Sequence, residues 1–149
     1  MLALVANSEA PEGSLVPIRS ASIAQEGNSG LIVGEQWLLR DLLGFTLVES
    51  SNDGAYAIAA AVGAFADTPD TSEDEAHAYF VSRMNGKAVS FGMEQTYFLN
   101  ATGLDANDSV SGAYGSARDV ATLFSRALSE MPDIVEATRS EEALYYSLD

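Results

Sequence analysis

From Ala55 to Phe65 the chain reads Ala-Tyr-Ala-Ile-Ala-Ala-Ala-Val-Gly-Ala-Phe, with no charge and a single hydroxyl, that of Tyr56. Alanine-rich segments are good helix formers, and a helix that is apolar all round has to be surrounded by protein. The run, extended to Ala66, is too short to cross a bilayer. The other elements of the chain must therefore wrap around it. With 149 residues and 47% hydrophobic content there is material for one domain's core and no reason to expect disorder.

Helical periodicity recurs on both sides of that segment. Leu39, Leu42, Leu43 and Leu47 predict a helix that starts at Leu39, is interrupted only by Gly44 and ends near Glu49. Ser50 to Asp53 then supplies the break and an N-cap for the apolar helix. A polar link with Pro69 runs from Ala66 to Thr71. Ser72 followed by Glu75 is a capping-box signature, and Glu73, Asp74 and Glu75 suit the positive end of the helix it opens. That helix carries Phe80, Val81, Met84, Ala88 and Phe91 inward and closes at Gly92. A further helix starts at Ser116 with Asp119 as reciprocal cap. It carries Val120, Leu123, Phe124, Ala127, Leu128 and Met131 on one face and stops at Pro132, before a short helix from Asp133 to Thr138.

Extended segments are few and brief. Leu15 to Ile18 is a strand candidate at an edge, because Pro17 cannot donate to a ladder. Leu31 to Val33 and the segment around Trp37 are short extended pieces beside it, and Tyr97 to Leu99 is another. Glu26 to Gly30 and Asn100 to Gly115 are loops, and Asn7 to Gly13 is a turn-rich link. Met1 to Ala6 reads as the tail of a helix and Ala143 to Leu148 as the start of a strand, so both ends look cut. The sum is a mainly α chain with a few short strands, with no internal repeat.

Composition removes several classes of function. A net charge of −15, from 22 acidic against 7 basic residues, offers no basic patch for a phosphate backbone, so nucleic acid is excluded as a partner. The acidic surface speaks to solubility and association. Without cysteine there is no disulfide framework and no thiolate metal site. No membrane segment is present, and Met1 to Ala6 lacks the basic flank and cleavage pattern of a signal peptide. His77 is the one histidine; near the acidic start of a helix it reads as a half-buried structural or surface residue rather than a triad base. Asp105, Asn107 and Ser109 have the spacing of a calcium loop but lack its glycine and its final glutamate. Gly112 and Gly115 fit no phosphate-cradling fingerprint. No cofactor or metal is implied.

One motif remains. Ser50-Ser51-Asn52-Asp53 is a Ser-x-Asn triplet at a helix-to-helix corner, and such a triplet is the middle of three motifs in penicillin-binding enzymes, between Ser-x-x-Lys and Lys-Thr-Gly. Both companions need a lysine. The only lysine is Lys87, preceded at three positions by Met84 and followed by Ala88, so it belongs to neither. Alone, the triplet is equally at home as helix-capping residues.

The surrounding sequence resembles the D-alanyl-D-alanine carboxypeptidases, the low-molecular-mass penicillin-binding proteins of the S11 serine peptidases. The resembling stretches are Ala24 to Leu31, Gly34-Glu35, Leu39 to Leu43, Ser50 to Asp53, Met84 to Ala88, Gly92-Met93, Thr96 to Phe98, Thr102 to Asp105 and Tyr114 to Asp119. They follow the family's order and spacing over nearly the whole chain. The resemblance implies the helical subdomain, plus an edge of the α/β subdomain, of the serine β-lactamase and penicillin-binding-protein transpeptidase-like fold. Residues 1–149 would then be part of an S11 catalytic domain truncated at both ends.

By that resemblance the reaction is acyl transfer from the terminal D-Ala-D-Ala bond of a peptidoglycan stem peptide to a nucleophilic serine activated by a lysine. Ser50 would relay a proton to the leaving amine, and Asn52 would hold the lysine and a substrate carbonyl. The implied partners are that stem peptide and, for a complete enzyme, β-lactams; the implied location is periplasmic or extracytoplasmic. Lys87 reads as a structural or surface residue; Tyr114 and the loop after Asp105 would either line the approach or, the reading the residues favour, form a solvated loop. Lacking nucleophile and base, the chain should be inactive alone and poorly stable. The alternatives are a non-catalytic scaffold of the same fold and an enzyme related to class A β-lactamases. The Met84 to Met93 and Thr102 to Asp105 elements fit the carboxypeptidases better than the latter.

Overall fold

The computed structural model describes residues 1–65, 71–139 and 143–149. Its centre is the apolar helix anticipated from the sequence. This helix, α3 (Asn52–Ala64), buries Ala55, Ala57, Ile58, Ala59, Ala60 and Val62 among others. Around it stand α1 (Leu2–Glu9), α2 (Leu39–Glu49) and α4 (Glu73–Ser90), with α4 making the broadest contact. Phe80 and Met84 of α4 and Leu42 and Leu43 of α2 are fully or almost fully buried against this core. No helix among the described residues is long and apolar enough to cross a membrane.

The α4 start has both halves of its capping box: Ser72 Oγ accepts from the Glu75 amide at 3.3 Å, and the Glu75 carboxylate accepts from the Ser72 amide at 2.9 Å. At the other end Gly92 takes φ +70°, the left-handed turn that a glycine allows after a helix. Gly63 is needed for another reason. A methyl group there would overlap the Ala76 carbonyl oxygen, so the approach of α3 to α4 at this point depends on the missing side chain.

Two small sheets flank the helices. In the first, β1 (Leu15–Pro17) pairs antiparallel with β2 (Gln36–Leu38), Val16 opposite Trp37. Pro17 lies on the outer strand, as its missing N–H requires. In the second, β3 (Tyr97–Phe98) pairs with β4 (Ala113–Tyr114). Asn85 of α4 supports this pair: its Nδ2 donates to the Phe98 carbonyl and its Oδ1 accepts from the Phe98 amide, both at 2.8 Å. A side-chain amide thus does for β3 what a neighbouring strand would do.

Several expectations need correction. Asn7 to Glu9 are helical, extending α1 through residues expected in a link. The break before α3 is only Ser50 and Ser51, because Ser51 is the N-cap and Asn52 and Asp53 already belong to the first turn. In α5 (Ala117–Glu130), Ser116 caps the Asp119 amide at 3.2 Å. The Asp119 carboxylate does not return the bond; it accepts from the Gln95 amide at 2.9 Å and the Thr96 hydroxyl at 2.8 Å. Burial works to raise this carboxyl's pKa, but these bonds outweigh it and hold the group below the ordinary carboxylate range.

The broad apolar stripe of α5 is only partly used. Leu123, Ala127 and Met131, spaced by one helical turn, pack on the core, whereas Val120, Phe124 and Leu128 are exposed. Helix α6 (Pro132–Ala137) follows with Pro132 in its first turn. Residues 143–149 lie beside β2 without forming a strand; the Leu148 amide donates to Gln36 O at 2.8 Å. Tyr145 packs edge-on against Phe45, and its ring occupies the place a side chain at Gly44 would take. The link from Ala66 to Thr71 lies outside the described residues apart from Thr71.

Candidate active site

The Ser-x-Asn triplet occupies a corner where one helix ends and the next begins. Ser50 closes α2 in the left-handed region, φ 54° and ψ 43°. It is the one described non-glycine residue with positive φ. The Ser51 amide folds back to Thr46 O at 3.0 Å, which satisfies the end of α2. Ser51 then opens α3 by accepting the Gly54 amide at 2.8 Å. Gly54 is enforced by proximity, since a methyl group there would collide with the Thr46 hydroxyl.

This geometry exposes Ser50 and buries its neighbour. Ser51 and Asp53 are each 4% exposed, while Asn52 is partly exposed. The Asn52 carboxamide donates from Nδ2 to Glu26 O at 2.8 Å, which leaves its Oδ1 and second N–H for another partner. Ser50, Asn52 and the Glu26–Ser29 loop border a cleft of about 210 Å³, with Glu49 and Asp53 completing its walls. The three carboxylate residues around it, Glu26, Glu49 and Asp53, meet no arginine or lysine among the lining residues. A positive group is the charge this lining favours.

The structure brings Ser50 and Asn52 to one cleft and adds Ser29, which sequence reasoning placed in a loop and in a family-resembling stretch but gave no role. Its hydroxyl donates to Asp53 Oδ2 at 2.9 Å and accepts from Ser51 Oγ at 2.7 Å. The signal was faint: a serine between Asn28 and Gly30 in a loop, with nothing local to tie it to a residue 24 positions away. Two further buried oxygens, Thr46 Oγ1 and Asp53 Oδ1, have no protein partner.

Other candidates fall elsewhere. His77 stacks on Tyr56 with ring centroids 4.8 Å apart and a buried Nε2. Burial lowers its pKa, against the opposing charge of Asp74. Lys87 donates to Ser8 Oγ at 2.9 Å on an exposed surface. Tyr114 pairs with Tyr97 and accepts from the Ser111 amide at 3.0 Å, and it is not among the residues lining the cleft. The loop after Asp105 is likewise absent from the lining, and its residues 105–109 are exposed, as a solvated loop would be. In it Asn107 Oδ1 accepts from the Ser109 amide at 3.0 Å. Among the described residues no group of three or more His, Cys, Asp or Glu side chains is placed to hold a metal. A larger groove of about 540 Å³, bordered by Ala10, Leu39, Arg40, Met131 and Asp133, lies at the far ends of α1 and α5 and contains none of the triplet.

A helical core with a Ser-x-Asn corner beside a small polar cleft defines a chain of the penicillin-binding-protein, transpeptidase-like fold. Over 97% of its length it superimposes with a TM-score of 0.77 on a D-alanyl-D-alanine carboxypeptidase from Mycobacterium tuberculosis H37Rv, at 29% identity, covering 49% of that chain. A mutant of the Streptomyces K15 DD-transpeptidase gives a TM-score of 0.70 at 26% identity, over 87% of this chain and 49% of that one. In sequence, 111 residues are 32% identical to the D-alanyl-D-alanine carboxypeptidase DacF of Bacillus subtilis (strain 168), covering 73% of this chain and 25% of that protein. The family model of peptidase S11, the D-alanyl-D-alanine carboxypeptidases, matches residues 14–147. The chain belongs to this family. It spans about a quarter of its curated relative and about half of these solved neighbours.

Proposed function

We propose that the chain contributes the Ser-x-Asn part of a serine-type D-Ala-D-Ala carboxypeptidase site, one that removes the terminal D-alanine from peptidoglycan stem peptides outside the cytoplasmic membrane. The carrying observation is the exposed, left-handed Ser50 beside an Asn52 carboxamide already fixed on one side by Glu26 O. In this reading Asn52 Oδ1 accepts from a lysine ammonium, a cation suited to the acidic lining, and its free N–H donates to the substrate carbonyl. The Ser50 hydroxyl passes a proton to the departing D-alanine amine. Attack on the peptide carbonyl needs a serine activated by a lysine, and these 149 residues hold neither Ser-x-x-Lys nor Lys-Thr-Gly. Residues 1–149 are accordingly read as part of a catalytic domain, inactive alone, whose complete form would also be acylated by β-lactams.

The isolated chain should release no D-alanine from a D-Ala-D-Ala peptide and show no penicillin adduct in an intact mass spectrum; a one-to-one adduct would contradict this. The positive test joins the chain to flanking segments of a D-alanyl-D-alanine carboxypeptidase chosen to carry Ser-x-x-Lys before it and Lys-Thr-Gly after it. The chimera should be acylated by penicillin, and Ser50→Ala and Asn52→Ala should each lower that rate by about a hundredfold, the first by removing a proton-transfer group and the second by removing a hydrogen-bond donor to the reacting carbonyl. A folded, acylating chimera indifferent to both changes would refute the assignment.

A further inference from the structure

The loop from Glu26 to Gly30 is held at two points by consecutive residues of the α2–α3 corner. At one end the Asn52 carboxamide donates to Glu26 O. At the other the Asp53 carboxylate accepts both the Ser29 hydroxyl, at 2.9 Å, and the Ser29 amide, at 3.4 Å. Between the two points stands Gly27, at φ +106°, with Gly30 beyond at φ +84°; within the loop the Gly30 amide donates to Asn28 Oδ1 at 3.0 Å, a bond that ties Asn28 to Gly30 and leaves the Glu26 carbonyl to be held from outside.

The hydrogen bonds around Ser29 have a forced direction. A carboxylate only accepts, so the Ser29 proton points to Asp53. Ser29 Oγ is then free to accept the Ser51 proton at 2.7 Å, and Ser51 Oγ accepts the Gly54 amide at 2.8 Å. The chain runs from a helix amide through two hydroxyls to a carboxylate that is 4% exposed. Each hydroxyl in it both donates and accepts. Deleting Ser29 Oγ leaves Ser51 without its acceptor and removes the shorter bond to Asp53.

We propose that Ser29 and Asp53 are positioning residues whose bond fixes the loop and thereby the orientation of the Asn52 carboxamide. Glu26 O is an acceptor; a flipped carboxamide would set Asn52 Oδ1 against it, oxygen to oxygen. The loop therefore decides which Asn52 atoms face the cleft, and it can do so only while Glu26 O stays in place. Ser29 on Asp53 keeps it there. This inference rests on the proposed function for what Asn52 does, though not for how Asn52 is held.

The test is NMR of the ¹⁵N-labelled 149-residue chain, reading the solvent exchange of the two Asn52 Nδ2 protons, assigned by their loss in Asn52→Asp. In the parent chain one proton is protected. In Ser29→Ala that protection should fall about fivefold, the equilibrium equivalent of one ordinary net hydrogen bond, while the Phe80 backbone amide stays unchanged. Asp53→Ala should match it and Ser29→Thr should restore it, a rescue that a purely space-filling Ser29 would not show. If Ser29→Ala does not fold, Asp53→Ala and Ser29→Thr carry the comparison. Unaltered Asn52 protection in a folded Ser29→Ala or Asp53→Ala chain overturns the proposal. Failure of the chimera to depend on Asn52 would sink the functional reading and leave this measurement standing.

Discussion

Two glycine-to-alanine changes, one on each of the main packed helices, should move stability in opposite directions. Gly86 of α4 is exposed, and a methyl group there meets nothing within 4 Å. Gly86→Ala should stabilise by about 0.5–1 kcal/mol, from the lower entropy of the unfolded chain and the better helix propensity. Gly63 of α3 gains the same from propensity. Its methyl group, however, would land on the Ala76 backbone carbonyl, which cannot rotate away as a side chain could. Relief requires α3 and α4 to part by roughly 1 Å, and a gap of that size forfeits a quarter to a half of the dispersion energy along the seam. Overpacking of this kind costs about 1–3 kcal/mol, so the net effect of Gly63→Ala should be a loss of up to about 2 kcal/mol. At about 3 °C per kcal/mol for a chain of this size, the two variants should straddle the parent in thermal unfolding followed by circular dichroism at 222 nm. A Gly63→Ala chain as stable as the parent, with Gly86→Ala raised as expected, would refute the packing argument.

Loss of the α4 cap in Ser72→Ala should destabilise by about 1 kcal/mol, read from urea unfolding, with Ser72→Thr nearly neutral. Asn85→Ala removes both bonds to Phe98 and should cost about 1–3 kcal/mol; fast hydrogen exchange at Phe98 would report it, and unchanged exchange would count against the strand-like role of Asn85. His77 has a folded pKa below its ordinary value of about 6.5 because burial disfavours the charged ring. Its contribution is therefore complete above that value and is lost as pH falls through it toward the folded pKa. Unfolding free energy measured from pH 8 to pH 5 should decline, and His77→Phe should flatten that part of the profile.

What the sequence disclosed and what it withheld divide along physical lines. The limits of α2, the capping box at Ser72, the glycine stop at Gly92 and the core role of Phe80 and Met84 are set by neighbours within a turn or two, so periodicity and cap chemistry reveal them. The Ser50–Asp53 corner was legible for the same reason. Ser29 was not, because its partner is set by how a loop crosses a helix end. Gly44 reads as a flaw in a helix until Tyr145 is found against it. The stripe of α5 misled in the other direction: six apolar residues at helical spacing gave one face, but only the Leu123, Ala127, Met131 row meets the core. Periodicity reports which residues could be covered and is silent on what covers them.

The left-handed Ser50 has a consequence for how this corner changes under selection. A side chain with a Cβ in that region gives up about 1–2 kcal/mol, and only glycine, with asparagine or aspartate in part, is relieved of it. A library randomised at position 50 and sorted for heat resistance alone should drift to glycine. The same library, placed in the chimera and sorted for acylation, should hold serine. Sequencing the two pools would separate the demand of folding from the demand of chemistry at one codon.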